Sequence, residues 1–242
     1  MFFTVITVTL NSEKTILKTI NSINNQTYKE FEYIIVDGGS SDKTLQIIKK
    51  NLKKKHILIS EKDKGIYNAM NKGINLSNGK FVGFLNSDDW LDNNILSKIH
   101  DLVKTQNPSI IYGDAKFYKN NKYNFYAKAN LKKLKKDMSL LHSSFYVNSN
   151  IIKNYLFDEN LIISSDYKQM LNLNKDYNFY YISDSLSNVS MGGKSSDLLI
   201  SSNEFFLIQM KEFGLFNALF NYFFKYHYHI IKILILHIKR FF

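Results

Sequence analysis

Short apolar runs alternate along the first half of the chain with stretches whose apolar positions recur every three or four residues. Phe3–Leu10 is compact and β-branched, the signature of a buried strand. Ser12 is placed to cap a helix that puts Ile16, Leu17, Ile20 and Ile23 on one side. Phe31–Val36 predicts a second strand, ending in Asp37-Gly-Gly-Ser-Ser-Asp42, where Ser40, Ser41 or Asp42 can cap the helix marked by Leu45, Ile47 and Ile48. His56–Ser60 predicts a third strand, and Ile66, Met70, Gly73 and Ile74 share one face of the helix after it. Lys80–Leu85 predicts a fourth strand, closing on Asn86-Ser-Asp-Asp89 before a helix over residues 94–105. Strand and helix thus alternate four times before Ile110-Ile-Tyr112. That order predicts an α/β fold with a mostly parallel central sheet and helices on both faces.

The pattern loosens after residue 115, where aromatics mix with lysine pairs. Residues 148–155 and 164–173 read as helices and 178–182 as a strand. From Asp197 onward the sequence reads as a helical C-terminal extension.

Composition narrows the function classes. With 242 residues and 45% apolar content the chain can bury a sizeable core. It has no Cys, which excludes disulfides, thiolate metal sites and a thiol nucleophile. Met1-Phe-Phe-Thr carries no basic stretch, so no cleaved signal peptide is expected. The formal net charge is +11, yet Arg240 is the single arginine. Guanine readers rely on arginine forks, which argues against sequence-specific DNA recognition. Residues 1–115 carry a net +3 and residues 116–242 a net +8. Codon bias toward Lys explains abundance better than it explains this asymmetry. Within 205–242, twelve residues are Phe or Tyr, five are basic and one is acidic. The run 230–242 is too short and too interrupted to span ~30 Å of hydrocarbon. A basic, aromatic, amphipathic segment instead suits the surface of an anionic membrane. The competing expectation is packing on the core or on a second subunit, which would make the protein a homo-oligomer.

Candidate chemistry gathers at one place. In open α/β sheets, ligands bind outside the carboxyl ends of the strands. Polar residues follow every early strand there: Thr9 and Asn11, then Asp37, then Glu61 and Asp63, then Asp88 and Asp89. Each alone could be a turn residue; four in succession at one edge are harder to explain so. The chain has neither the Gly-x-Gly-x-x-Gly of a dinucleotide site nor a P-loop. The Asp88–Asp89 pair offers hard anionic oxygens, suited to Mg²⁺ or Mn²⁺. Such ions keep several waters and bridge to substrate phosphates, so a phosphate-bearing ligand is implied.

Four segments carry a resemblance: Val5-Ile-Thr-Val-Thr-Leu-Asn11, Ile35-Val-Asp-Gly-Gly-Ser-Ser-Asp42, Ser60-Glu-Lys-Asp-Lys-Gly-Ile-Tyr-Asn-Ala-Met-Asn-Lys-Gly73 and Gly83-Phe-Leu-Asn-Ser-Asp-Asp89. In order and spacing they closely resemble the family-2 glycosyltransferases, which have the GT-A fold. The likeness is strong over residues 3–115 and weaker through His142-Ser-Ser-Phe-Tyr146, Phe157-Asp-Glu159, Ser165-Asp-Tyr167 and Gly192-Gly-Lys-Ser195. It implies a GT-A domain over 1–200, with a nucleotide-sugar half at 1–115 and an acceptor half at 116–200, followed by an amphipathic helical segment at 201–242. It further implies that Thr9 and Asn11 lie by the nucleotide and that Asp37, beside Gly38, accepts from the base imide N–H, commonly uracil. Asp63, Gly65, Asn68 and Asn71 resemble the segment beside base, ribose and donor sugar.

Asn86-Ser-Asp88-Asp89 resembles the family's metal motif with its first carboxylate replaced by Asn. The resemblance thus implies Mn²⁺ or Mg²⁺ on Asp88 or Asp89, the other holding ribose or sugar hydroxyls. Asp166 matches the family's catalytic Asp, which takes the acceptor's proton in one inverting displacement. His142 matches an element whose role is a diphosphate contact, a metal contact or structure, and Lys194 lies in a late loop where it could meet phosphate.

The implied enzyme moves a sugar from a nucleoside-diphosphate donor to a saccharide or lipid-linked acceptor, in the cytoplasm at the inner face of the membrane, for surface polysaccharide or glycolipid synthesis. Two other readings remain. A sugar-1-phosphate nucleotidyltransferase would need a Gly-rich, Arg-containing loop where this chain has Thr9-Leu-Asn-Ser12. A basic lipid- or nucleic-acid-binding module would leave the acidic edge unexplained, since acids in a cleft repel a polyanion.

Overall fold

Strand β1 (Phe3–Thr9) is buried along its whole length, because it pairs on both sides and is covered on both faces. Its odd positions Phe3 and Val5 enter one hydrophobic core and its even positions Ile6 and Val8 the other, the period-2 division of a pleated strand. Parallel β2 (Phe31–Asp37) lies beside it and β3 (His56–Ser60) beside β2, while β4 (Phe81–Phe84) flanks β1 on the other side. The computed structural model describes residues 1–53, 56–192 and 197–226.

The helices between these strands cover the two faces as right-handed crossovers require. Helices α1 (Ile16–Asn24), α2 (Thr44–Asn51) and α4 (Ile95–Val103) bury Ile16, Ile20, Ile48, Leu96 and Ile99 with Phe3 and Val5. Helix α3 (Ile66–Leu76) buries Tyr67, Met70 and Ile74 in the opposite core. It lies close to the sheet: a Cβ on Gly73 would come within 2.6 Å of Ile6 Cγ2.

The second half of the chain completes the sheet in another way. Strands β5 (Ile110–Lys119), β6 (Lys122–Ala127) and β7 (Phe145–Asn148) extend it in the order β3-β2-β1-β4-β7-β5-β6, with β8 (Phe179–Ser190) pairing β5. The β4–β7, β7–β5 and β5–β6 pairs are antiparallel, whereas β8 runs parallel to β5. The mostly parallel expectation therefore holds for β1–β4 and β8. It gives way in the middle, where the chain returns through hairpin and reversal rather than through a crossover helix.

Helix α5 is a single short turn (Ser149–Ile152), shorter than the 148–155 expected, and its first residues are preceded by β7. Helix α6 (Ser165–Asp176) packs on α3's side of the sheet together with α7 (Leu198–Phe213). Asp197 caps α7 by accepting from Leu199 N at 3.1 Å and Ile200 N at 3.2 Å. Gly214, at φ 82°, ends α7, and α8 follows over 215–226. The expectation for 205–242 is thus met as helix up to 226; residues 227–242 lie outside the described residues, as does Lys194.

Candidate active site

The carboxyl end of β1 and the loops after β2, β3 and β4 open into a cleft of two adjoining cavities. The first, about 670 Å³, is lined among others by Thr9, Asn11, Asp63, Gly65 and Asp88. The second, about 590 Å³, is lined among others by Tyr67, His142, Asp166 and Lys225. Ile66, Asn86, Asp89 and Val189 line both, so the two halves meet at the loop after β4.

That loop is pinned from below. Thr19 Oγ1 on α1 donates to Asp89 O at 2.7 Å, and Asp89 N donates to Asn86 O at 3.1 Å. Ser190 N, at the end of β8, donates to Asp89 Oδ1 at 2.9 Å, and Asn86 Nδ2 to Asp89 Oδ2 at 3.2 Å. Asp89 is 1% exposed, and burial together with the neighbouring Asp88 carboxylate pushes it up to about 8. Asp88 is also raised, chiefly by burial. Two adjacent carboxylates, both raised by burial and Asp89 further by the Asp88 charge, form a donor set that a divalent cation would relieve. Among the described residues no cluster of three or more His, Cys, Asp or Glu forms a protein-only cage. The pair fits an ion that shares its coordination with water and a bound diphosphate.

Thr9 supplies a second sign of a ligand site. It is 6% exposed, lines the first cavity, and its Oγ1 has no hydrogen-bond partner. Asn11 sits at φ 51°, its N donating to Ser40 Oγ at 2.8 Å while its Oδ1 accepts from Ser41 N at 2.9 Å. Gly65 has φ 133°, which favours glycine, and its N donates to Asp63 Oδ1 at 2.9 Å.

Four of the expected donor residues are not among those lining the two cavities. Asp37 is fully buried and does not line the cleft. Its carboxylate accepts from Gly39 N, Ser40 N, Ser40 Oγ at 2.5 Å and Ser60 Oγ at 2.8 Å, which leaves it engaged with its own loop. Gly38 lies beneath Asp63, whose Oδ2 would be 2.3 Å from a Cβ there. Asn71 spans Phe157, accepting from its N at 2.9 Å and donating to its O at 3.0 Å, and it also donates to Glu159 Oε1 at 2.9 Å. Asn68 donates to Glu159 Oε2 at 2.9 Å. Three positions apart, the two asparagines share the helix face that meets residues 157–159 rather than the cleft.

In the second half, Asp166 stands in the first turn of α6, partly buried. Burial raises it to about 6, with the Glu204 charge adding to the rise; Tyr167 N and the Tyr67 hydroxyl pull the other way. Ser12 and Ser164 do not cap through their side chains; Ser12 Oγ instead contacts Ser87 Oγ at 2.9 Å. His142 stacks on Phe84 at 4.6 Å, and burial pushes it down to about 4, so it is neutral. Its Nε2 is buried without a partner and lines the same cavity as Asp166. Asn86, Tyr67, Val189 and Ser190 also line the cleft, with no ligand contact expected of them from the sequence. The first two lie within the quoted motifs, whereas nothing local marks the end of β8 as a wall of the site.

The family model for Glycosyl transferase family 2 matches residues 4–166, and the chain belongs to this family. Over 117 residues it is 37% identical to a PGL/p-HBAD biosynthesis glycosyltransferase of Mycobacterium bovis, a match covering 46% of each chain. Over 113 residues it is 34% identical to UDP-Glc:alpha-D-GlcNAc-diphosphoundecaprenol beta-1,3-glucosyltransferase WfgD of Escherichia coli, covering 46% of this chain and 44% of that one. The chain thus spans less than half the length of these relatives. S. aureus TarS 1-349 in complex with UDP-GlcNAc superposes with a TM-score of 0.72 at 23% identity, over 86% of this chain and 64% of that one. The fold is that of the GT-A glycosyltransferases.

Proposed function

We propose that the chain is a glycosyltransferase that moves a sugar from a nucleoside-diphosphate donor, UDP before others, to a hydroxyl of a saccharide or lipid-linked saccharide. The observation that carries this reading is the two-part cleft, with Asp88 on its donor side, Asp89 at the junction and Asp166 on the far side. Thr9, Asn11, Asp63, Gly65 and Asp88 contact the nucleotide sugar, while Asp37, Gly38, Asn68 and Asn71 shape the loops that hold them. Asp166 takes the proton of the acceptor hydroxyl as that oxygen bonds the anomeric carbon. The bond from that carbon to the diphosphate breaks on the opposite side, so the configuration inverts and the nucleoside diphosphate leaves. Asp88 and Asp89 would hold Mn²⁺ or Mg²⁺, which when bound neutralises charge on the departing diphosphate. Family membership favours this reading over a nucleotidyltransferase or a binding module.

The acceptor side supports a lipid-linked substrate. Its cavity is rich in apolar side chains, among them Met138, Leu141, Ile200 and Phe205, and α8 contributes Lys225 to it. The outward face of α8 exposes Leu215, Phe216, Leu219 and Phe220. We assign this face to an anionic membrane, which places the enzyme on the inner face of the cell membrane in surface polysaccharide or glycolipid synthesis. Among the described residues no helix is long and apolar enough to cross a membrane.

Calorimetric titration of UDP, with and without Mn²⁺, tests the donor site. Metal-dependent binding in the wild type, weakened at least tenfold in Asp89→Asn, is expected. Binding of neither UDP, GDP nor dTDP by folded protein would overturn the reading.

A further inference from the structure

The four residues ahead of Asp166 are held by side chains from two other elements. Glu204, on α7, is 8% exposed. Its Oε1 accepts from Ile162 N at 2.5 Å, and its Oε2 from Ile163 N at 2.9 Å and Ser164 N at 2.8 Å. The Tyr67 hydroxyl, on α3, accepts from Ser165 N at 3.1 Å, donates to Ile163 O and lies 3.4 Å from Asp166 Oδ1. Amides at a helix start have no partner within the helix. Here every one from 162 to 165 is satisfied from outside. Among the described residues no Lys or Arg pairs with Glu204, so its buried charge is met by backbone dipoles alone. A buried carboxylate so placed is costly unless its hydrogen bonds are complete. Removing it would free three consecutive amides next to the site.

We propose that Tyr67 and Glu204 are positioning residues that clamp the 162–165 segment from opposite sides and so fix the Asp166 carboxylate toward the acceptor half of the cleft. The proposal rests on the reading of Asp166 as the base. Around Asp166 the ionisable groups are Tyr67 from α3, His142 and Asp89 across the cavity, Tyr167 beside it, Asp197 and Lys225 at the cavity wall, and Glu204 behind. The two clamps act on it with opposite sign. The Tyr67 hydroxyl, its one proton shared between Ile163 O and the more distant Asp166 Oδ1, favours the carboxylate weakly, whereas the Glu204 charge opposes it.

The test compares Tyr67→Phe, Glu204→Gln and Asp166→Asn with the wild type in three measurements. Amide hydrogen exchange reads the clamp residue by residue. Exchange at 162–164 accelerates in Glu204→Gln, and at 165 chiefly in Tyr67→Phe. The ¹³C carboxyl titration of Asp166 is expected to have its midpoint near 6 in the wild type. It moves up in Tyr67→Phe and down in Glu204→Gln, a split that general loosening would not produce. Release of UDP from UDP-glucose, with water as acceptor, falls 10- to 100-fold in kcat in both clamp variants, with UDP affinity within twofold.

If exchange and the Asp166 midpoint are unmoved in both variants, the clamp is overturned. If Asp166→Asn turns over like the wild type, the base reading fails and the proposal with it, while exchange still reports whether the segment is held. A wild type that releases no UDP counts against the donor reading, and the titration and exchange then decide the clamp alone. Should Glu204→Gln not fold, Tyr67→Phe, which removes one oxygen, carries the decision.

Discussion

Asp166 and His142 line the same cavity, yet burial moves them in opposite useful directions. A carboxylate raised to about 6 is still ionised at neutral pH and is a better proton acceptor than an exposed one. Turnover should therefore rise with pH around a midpoint near 6, and Asp166→Asn should lower kcat by about 10²–10⁴-fold above that midpoint, by less below it, with UDP binding unchanged. A steady-state pH profile with parallel UDP titrations checks both. His142 is different. Its folded pKa lies near 4 against 6.5 for the free side chain, so the unfolded chain binds a proton that the folded chain refuses between those values. Stability present above pH 6.5 is therefore lost as pH falls toward 4, by about 3 kcal/mol for this one group. His142→Phe, which keeps the stack on Phe84, should melt with a flatter pH dependence over that window. Equal slopes in calorimetry would show that His142 does not drive the acid sensitivity.

Individual elements were legible to different depths, and the reason is whether their signal is local. Strands β1–β4 and their helices announce themselves because both faces are covered and each run is bounded by turn residues. The β5–β6 hairpin and β7 do not, since β6 is an exposed edge strand with Tyr123 58% and Phe125 42% exposed. Its pattern lacks the alternation that marks a half-buried strand. The α3 motif shows the same limit at the site. Its resemblance implied donor contacts for Asn68 and Asn71, but only the fold reveals that they face residues 157–159. Glu204 carried no signal at all, because its partners are backbone amides about 40 residues away.

Packing between elements makes its own prediction. A Cβ on Gly83 of β4 would stand 2.3 Å from Tyr146 Cε1 on β7, and Tyr146 is 2% exposed. The neighbour is a ring within the core, not a flexible tip, so Gly83→Ala should destabilise by about 1–3 kcal/mol through overpacking. A urea midpoint equal to the wild type's would mean the β4–β7 seam has slack that this geometry does not show.

At the scale of the whole molecule, the unresolved tension is the outward face of α8. Ala218 and Tyr226 bury its inner side, so the helix is held to the body of the protein, yet Phe216 is 82% exposed and Phe220 52%. Apolar area left in water forgoes roughly 25 cal/mol per Å², and several large side chains on one face form a patch that calls for a cover. The charge of the chain points to the cover: residues 116–242 carry a net +8, and Lys232, Lys239 and Arg240 follow α8 in sequence. An anionic bilayer takes both features at once, phenyl rings at the headgroup boundary and lysines at the phosphates. The protein should co-sediment with phosphatidylglycerol vesicles, more weakly in 0.5 M salt, and not with phosphatidylcholine alone. The double variant Phe216→Ser, Phe220→Ser should bind at least tenfold more weakly while releasing UDP from UDP-glucose at the wild-type rate, because neither side chain lines the cleft. Wild-type protein that ignores anionic vesicles and scatters light as a dimer, with the variant monomeric, would instead make this face the contact between two subunits.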